Sequence, residues 1–148
     1  MVGRNETEEP MNSRPTPMDA LAENPAASGL ILDFDGVLSP IVDDPAASEL
    51  PDRVAASLVR LGRTLGLLAV ISGRPVLTSR NLTTVAYAGD DVGDIPALRA
   101  VREAGGYALV VDHGRETDPL LLKLADQIYA GTDGFAAWLA ELARKLDV

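Results

Sequence analysis

Two aspartates, Asp33 and Asp35, stand one residue apart at the end of the apolar run "LILDFDG", and a glycine, Gly36, follows them. Further along, "GDDVGD" places Asp90, Asp91 and Asp94 within five residues, and "ISGRP" offers Ser72, Gly73 and Arg74. Carboxylates gathered in one cleft repel one another and raise each other's pKa unless a cation is present. A hard divalent ion with oxygen ligands resolves that conflict. Mg²⁺ suits it, because this ion takes one or two carboxylates and fills its remaining positions with water and phosphate oxygens. A phosphate held there accepts hydrogen bonds from Ser72 and the backbone after it at Gly73, while Arg74 neutralises part of its charge. Two carboxylates spaced by one residue can also divide labour: one attacks phosphorus, and the other protonates the leaving oxygen and later activates water. Gly36 lets the chain turn sharply with no side chain in the way.

The elements that would carry these groups follow from the hydrophobic pattern. "GLILDFD" is a continuous apolar run of strand length, built for burial on both faces. A Pro- and Asp-rich loop, "SPIVDDPAASELP", leads to a helix that starts near Pro51, carries Val54, Leu58, Leu61 and Leu65 at helical spacing, and closes at Gly66. "LLAVISG", "TVAYAGDD", "GYALVVD" and the short "QIYA" read as further strands, with helices over "DIPALRAVREAG" and "DPLLLKLAD" and a last amphipathic helix through Phe135, Leu139, Leu142 and Leu146. Strands alternating with helices predict an α/β fold, a Rossmann-like parallel sheet covered by helices on both faces. In such sheets ligands bind beyond the carboxyl ends of the strands. Asp33 and Asp35 end the first strand, Ser72 to Arg74 the second, and Asp90 and Asp91 the third. Three strand ends converge.

The global numbers bound what such a site serves. The chain has 148 residues, one domain's worth, with no cysteine for disulfides or thiolate metal sites. Its 22 acidic and 13 basic residues give a formal net charge of −9, which argues against nucleic acid and anionic membranes as partners. No apolar run approaches the ~20 residues of a membrane span, and the N-terminus lacks the apolar core of a signal peptide, so a cytoplasmic location is expected. Residues 1–28, with four prolines and little periodicity, are expected to form a disordered leader ahead of a core at 29–148. The Asn-x-Thr triplets at Asn5 and Asn81 are read as chance matches to a glycosylation pattern.

In order, these motifs resemble those of haloacid-dehalogenase-type phosphatases. "DFDGV" is similar to the first motif, which implies Asp33 as the aspartyl nucleophile and Asp35 as the general acid/base. Ser72 matches the second, and "GDDVGD" the fourth, which implies Asp90, with Asp91 or Asp94 in support, at the metal. The implied metal set is Asp33, Asp35, Asp90 and Asp91. "DFDGVLSPIVDDPAASELPD", "LAVISGRP" and "VAYAGDDVGDIPALRAVREAGGYALVVDHGRET" further resemble trehalose-6-phosphate phosphatases, which implies a sugar phosphate as substrate. The family's cap domain and third-motif lysine lie between the second and fourth motifs; here only "VLTSRNLTT" separates "SGRP" from "VAYAGDD", and the two lysines, Lys123 and Lys145, both come later. The expectation is a shortened core without the cap. Losing one charge-stabilising donor costs about 10² to 10³ in rate. An open-site phosphatase of other substrates, and a silent remnant that binds metal or a partner, stand beside the leading reading. The short connection from Pro75 to Thr84 sits at the lower limit for a crossover, ~10 to 12 residues, and leaves "LLAVISG" as an apolar edge suited to pairing with a second copy of the chain.

Several residues have plainer readings. Asp94 is the carboxylate most easily explained as a helix cap alone. His113, the one histidine, is expected in solvent on a loop after the fourth strand. Asp43 and Asp44 read as loop solvation, Lys123 as a snorkelling surface residue, and Phe135 and Trp138 as core.

Overall fold

The computed structural model describes residues 14–44, 47, 49–71 and 82–147. Five parallel strands form its sheet: β1 (Ser28–Asp33), β2 (Leu67–Ile71), β3 (Thr84–Gly89), β4 (Tyr107–Asp112) and β5 (Gln127–Ala130), in the order β2-β1-β3-β4-β5. Around it lie α1 (Pro17–Glu23), α2 (Asp52–Thr64), α3 (Ile95–Glu103), α4 (Pro119–Leu124) and α5 (Gly131–Leu146). The protein therefore has the α/β Rossmann-like fold that the alternating pattern predicts.

Period-two side-chain alternation sorts the core into two layers. Leu30 and Leu32 of β1, Ala86 and Ala88 of β3, and Leu109 and Val111 of β4 point to one face, where they meet Val54 and Leu61 of α2 and Phe135, Leu139 and Leu142 of α5. Ile31, Tyr87, Ala108 and Val110 point to the other face, against Ala97, Leu98 and Val101 of α3 and Leu121 of α4. Burial on both faces explains why β1 and β4 read as unbroken apolar runs. Phe135 and Trp138 are core residues that stack with centroids 5.5 Å apart. Helix ends follow local chemistry: Thr16 caps α1 through Asp19 N, and Asp118 caps α4 through Leu120 N.

Of the segment expected as a leader, residues 14–28 are among those described. Residues 17–23 are helical, Leu21 is fully buried, and Arg14 lies 3.9 Å over the Tyr107 ring while donating to the carbonyls of Gly105 and Gly106. The four prolines and polar residues mask this contact in the sequence, because α1 is short and its apolar face too brief to show a period. At the other edge of the sheet, β2 pairs only with β1 among the described residues, and its Val70 is 45% exposed. Residues 72–81 of the connection from β2 to β3 lie outside the described residues. Also among the described residues, no helix is long and apolar enough to cross a membrane.

Candidate active site

β1 sends the chain to β2 on one side, while β3 lies on its other side, so the carboxyl ends of β1 and β3 flank the point where strand order reverses. A crevice opens there by geometry. It is a cavity of about 460 Å³ lined by Asp33, Asp35, Ile41, Asp90, Asp91, His113 and Glu116.

Asp33 is the last residue of β1, and its Oδ1 accepts the Phe34 amide at 2.9 Å. Asp90 follows β3 directly. Asp94 is 8% exposed and fully engaged: Tyr87 donates its hydroxyl to Oδ1 at 2.7 Å, and the amides of Asp90 and Asp91 donate to Oδ2 at 3.0 and 3.2 Å. One carboxylate oxygen from each of Asp33, Asp90 and Asp94 lies within 4.8 Å of the other two. Burial, and then the charges of Asp94 and Asp90, push the Asp33 carboxyl up to about 7; burial, and then the Asp94 charge, push Asp90 up to about 6. Protons held that tightly mark a site short of positive charge. A divalent cation with oxygen preference fits these donors, with Asp33 and Asp90 facing the cavity and Asp94 adding charge from the interior side.

Two glycines make the cluster sterically feasible. Gly36 has φ +77°, and a Cβ there would fall 2.6 Å from Asp90 Cγ. The space beside Gly36 is taken by the Asp90 carboxylate. At Gly89 a Cβ would fall 2.5 Å from Asp94 Cγ.

The structure groups Asp33, Asp90 and Asp94; the sequence pattern names Asp33, Asp35 and Asp90, with Asp91 or Asp94 in support. Asp91 is exposed and caps the 3-10 turn Val92–Asp94, its side chain accepting Val92 N at 2.7 Å. Asp94 completes the same capping box and so does two jobs. Asp35 is exposed and lines the cavity, two residues beyond the point where β1 ends its ladder. Ser72, Gly73 and Arg74 lie outside the described residues.

Two residues that the sequence reading passed over take part. His113, expected in solvent, is partly buried, with Nε2 2.9 Å from Gly36 O and 3.3 Å from Asp90 Oδ2. The signal was its position: it follows β4 as Asp33 ends β1 and Asp90 follows β3. Tyr87 lies on the helix-covered face of β3 opposite to its alanine neighbours, which reads as core until its hydroxyl is placed. Of the lysines, Lys145 pairs with Asp19 on α1, and Lys123 lies in the last turn of α4.

The chain is similar to a trehalose-phosphate phosphatase. Over 92 residues it is 36% identical to "Probable trehalose-phosphate phosphatase 2" of Oryza sativa subsp. japonica, a match that takes in 60% of this chain. That match spans only 23% of the rice protein's length. It supports the relationship that the motifs imply. No protein-family model matches the chain.

Proposed function

We propose that this protein is a Mg²⁺-dependent phosphomonoester hydrolase acting through an aspartyl phosphate. The observation that carries the reading is the convergence of Asp33, Asp90 and Asp94 at the strand-order reversal, with Asp33 open to the cavity. Asp33 attacks phosphorus, its carboxylate oxygen forming the new P–O bond as the bond to the leaving alkoxide breaks. Asp35, on the cavity wall, gives its proton to that leaving oxygen. It then takes a proton from water, which attacks the acyl phosphate and releases inorganic phosphate with Asp33 restored. A bound Mg²⁺ supplies charge neutralisation for the phosphoryl oxygens. Asp90 and Asp33 are the residues that would hold it, with Asp94 fixing the turn that presents Asp90. Likeness to the rice protein supports trehalose 6-phosphate as the substrate.

A second reading, a metal-binding protein without turnover, is favoured by the lysines: Lys145 is committed to Asp19, and neither lysine lines the cavity. Phosphate release from trehalose 6-phosphate and from an aryl phosphate, with Mg²⁺ and with chelator, separates the two. Release that needs both Mg²⁺ and Asp33, lost in Asp33→Asn, supports the hydrolase. No release from a folded protein that binds Mg²⁺ overturns it.

A further inference from the structure

His113 touches both halves of the carboxylate site. Gly36 O is an acceptor only, so at 2.9 Å the Nε2 of His113 must carry the hydrogen. The same N–H lies 3.3 Å from Asp90 Oδ2, a second acceptor. One ring nitrogen thus spans the turn after β1 and the end of β3. The ring is held in place from its own backbone: His113 N donates to the buried Thr117 hydroxyl at 2.7 Å, Thr117 N donates to Gly114 O, and Asp112 Oδ1 accepts Gly114 N at 2.9 Å. Gly36 completes the arrangement, because its missing side chain lets Asp90 sit against the turn; a Cβ there would lie 3.1 Å from His113 Nε2.

Building on the hydrolase reading, we infer that His113 is a positioning residue that clasps Gly36 and Asp90 and so holds the Asp90 carboxylate at the spacing from Asp33 that a divalent cation needs. Its role is that of an N–H donor at one fixed point. Hydrogen-bond partners of ligating carboxylates set ligand orientation, and their removal costs about 10- to 100-fold in metal affinity. The ring's body also closes one wall of the cavity, and it does so beside Glu116 and Ile41.

The test is Mg²⁺ titration of the full chain by calorimetry, for the wild type, His113→Ala, His113→Gln and His113→Asn, with melting temperature read on each. The side-chain amide nitrogen of glutamine reaches the place of Nε2, while that of asparagine falls short. The expected result is Mg²⁺ affinity weakened about 10- to 100-fold in His113→Ala and His113→Asn, and largely restored in His113→Gln. Wild-type affinity in a folded His113→Ala, or equal losses in the glutamine and asparagine variants, overturns the clasp while leaving the hydrolase reading intact. If His113→Ala does not fold, the contrast between glutamine and asparagine decides alone. A wild type that takes up no Mg²⁺ overturns the metal reading and this inference together.

Discussion

The hydroxyl of Tyr87 donates to Asp94 Oδ1 at 2.7 Å in the interior of the protein, between β3 and the turn that follows it. Both groups are nearly sealed from water, Tyr87 at 4% and Asp94 at 8% exposure. Burial and the Asp94 carboxylate push the Tyr87 phenol far up, so it remains a donor at any working pH. Hydrogen bonds to charged groups contribute about 1.5 to 3 kcal/mol. Tyr87→Phe keeps the ring and its packing against Leu98 and Val101 but leaves a buried carboxylate one donor short. The expected outcome is a loss of about 2 kcal/mol in urea unfolding, with an unchanged slope. Unchanged stability would mean that Asp94 is satisfied by the amides of Asp90 and Asp91 alone.

Gly36 is constrained twice, by its positive φ and by the carboxylate pressed against it. The left-handed conformation costs a non-glycine residue about 1 to 3 kcal/mol, and the added methyl must in addition displace Asp90. Gly36→Ala is expected to lose Mg²⁺ binding in calorimetry while remaining folded by circular dichroism. Retained affinity would argue that Asp90 is not a ligand in its present position, because the added methyl overlaps its carboxylate there.

The raised carboxyls at Asp33 and Asp90 give the metal-free protein a definite pH response. Each holds a proton in the folded state up to about 7 and about 6, against about 4 when unfolded. The folded state binds more protons than the unfolded state across that window, so stability falls as pH rises from about 4 to about 7. The contribution is fully present below about 4 and is lost as pH passes through the folded values. Saturating Mg²⁺ takes the place of the protons and reverses the loss above pH 7; at a hundred times Kd the gain is about 2.7 kcal/mol. Denaturant midpoints from pH 4 to 8, with and without Mg²⁺, check this, and Asp33→Asn/Asp90→Asn is expected to flatten both trends. A wild type whose midpoint rises across that window without metal would contradict the arrangement of charges.

What the sequence made legible was the part governed by period and by strand ends. Unbroken apolar runs in β1 and β4 announce a sheet buried on both faces, and that in turn puts Asp33 and Asp90 at strand ends beside one crevice. The choice among Asp35, Asp91 and Asp94 was not legible in this way. All three are short acidic residues near a strand end, and only backbone direction decides between them: Asp91 turns outward to cap Val92 N, while Asp94, three residues on, folds back under Gly89 because that glycine leaves room. His113 was missed for a related reason. A lone histidine on a polar loop carries no periodic signal, and its contact with Gly36 joins residues 77 apart in sequence. Helix α1 shows the limit from the other side, since seven residues are too few for a hydrophobic period to stand out against four prolines.

Asp33 and Asp35 differ in their surroundings in a way that separates their chemistry. Asp33 is half-buried, hydrogen-bonded to Phe34 N and grouped with Asp90 and Asp94, whereas Asp35 is exposed on the cavity wall. A nucleophile is needed whatever the leaving group, but a general acid matters only when the leaving oxygen is a poor one. Asp33→Asn is therefore expected to abolish phosphate release from every substrate. Asp35→Asn is expected to lose about 10²- to 10⁴-fold with an alkyl phosphate such as a sugar phosphate, and far less with p-nitrophenyl phosphate, whose phenolate leaves without help. The split is measured by kcat/KM for the two substrates on each variant, which reports attack by Asp33 and departure of the leaving oxygen but not the later hydrolysis of the aspartyl phosphate common to both. Equal losses for both substrates in Asp35→Asn would move Asp35 from proton donor to a role in binding, because only proton transfer to the leaving oxygen depends on how readily that oxygen departs.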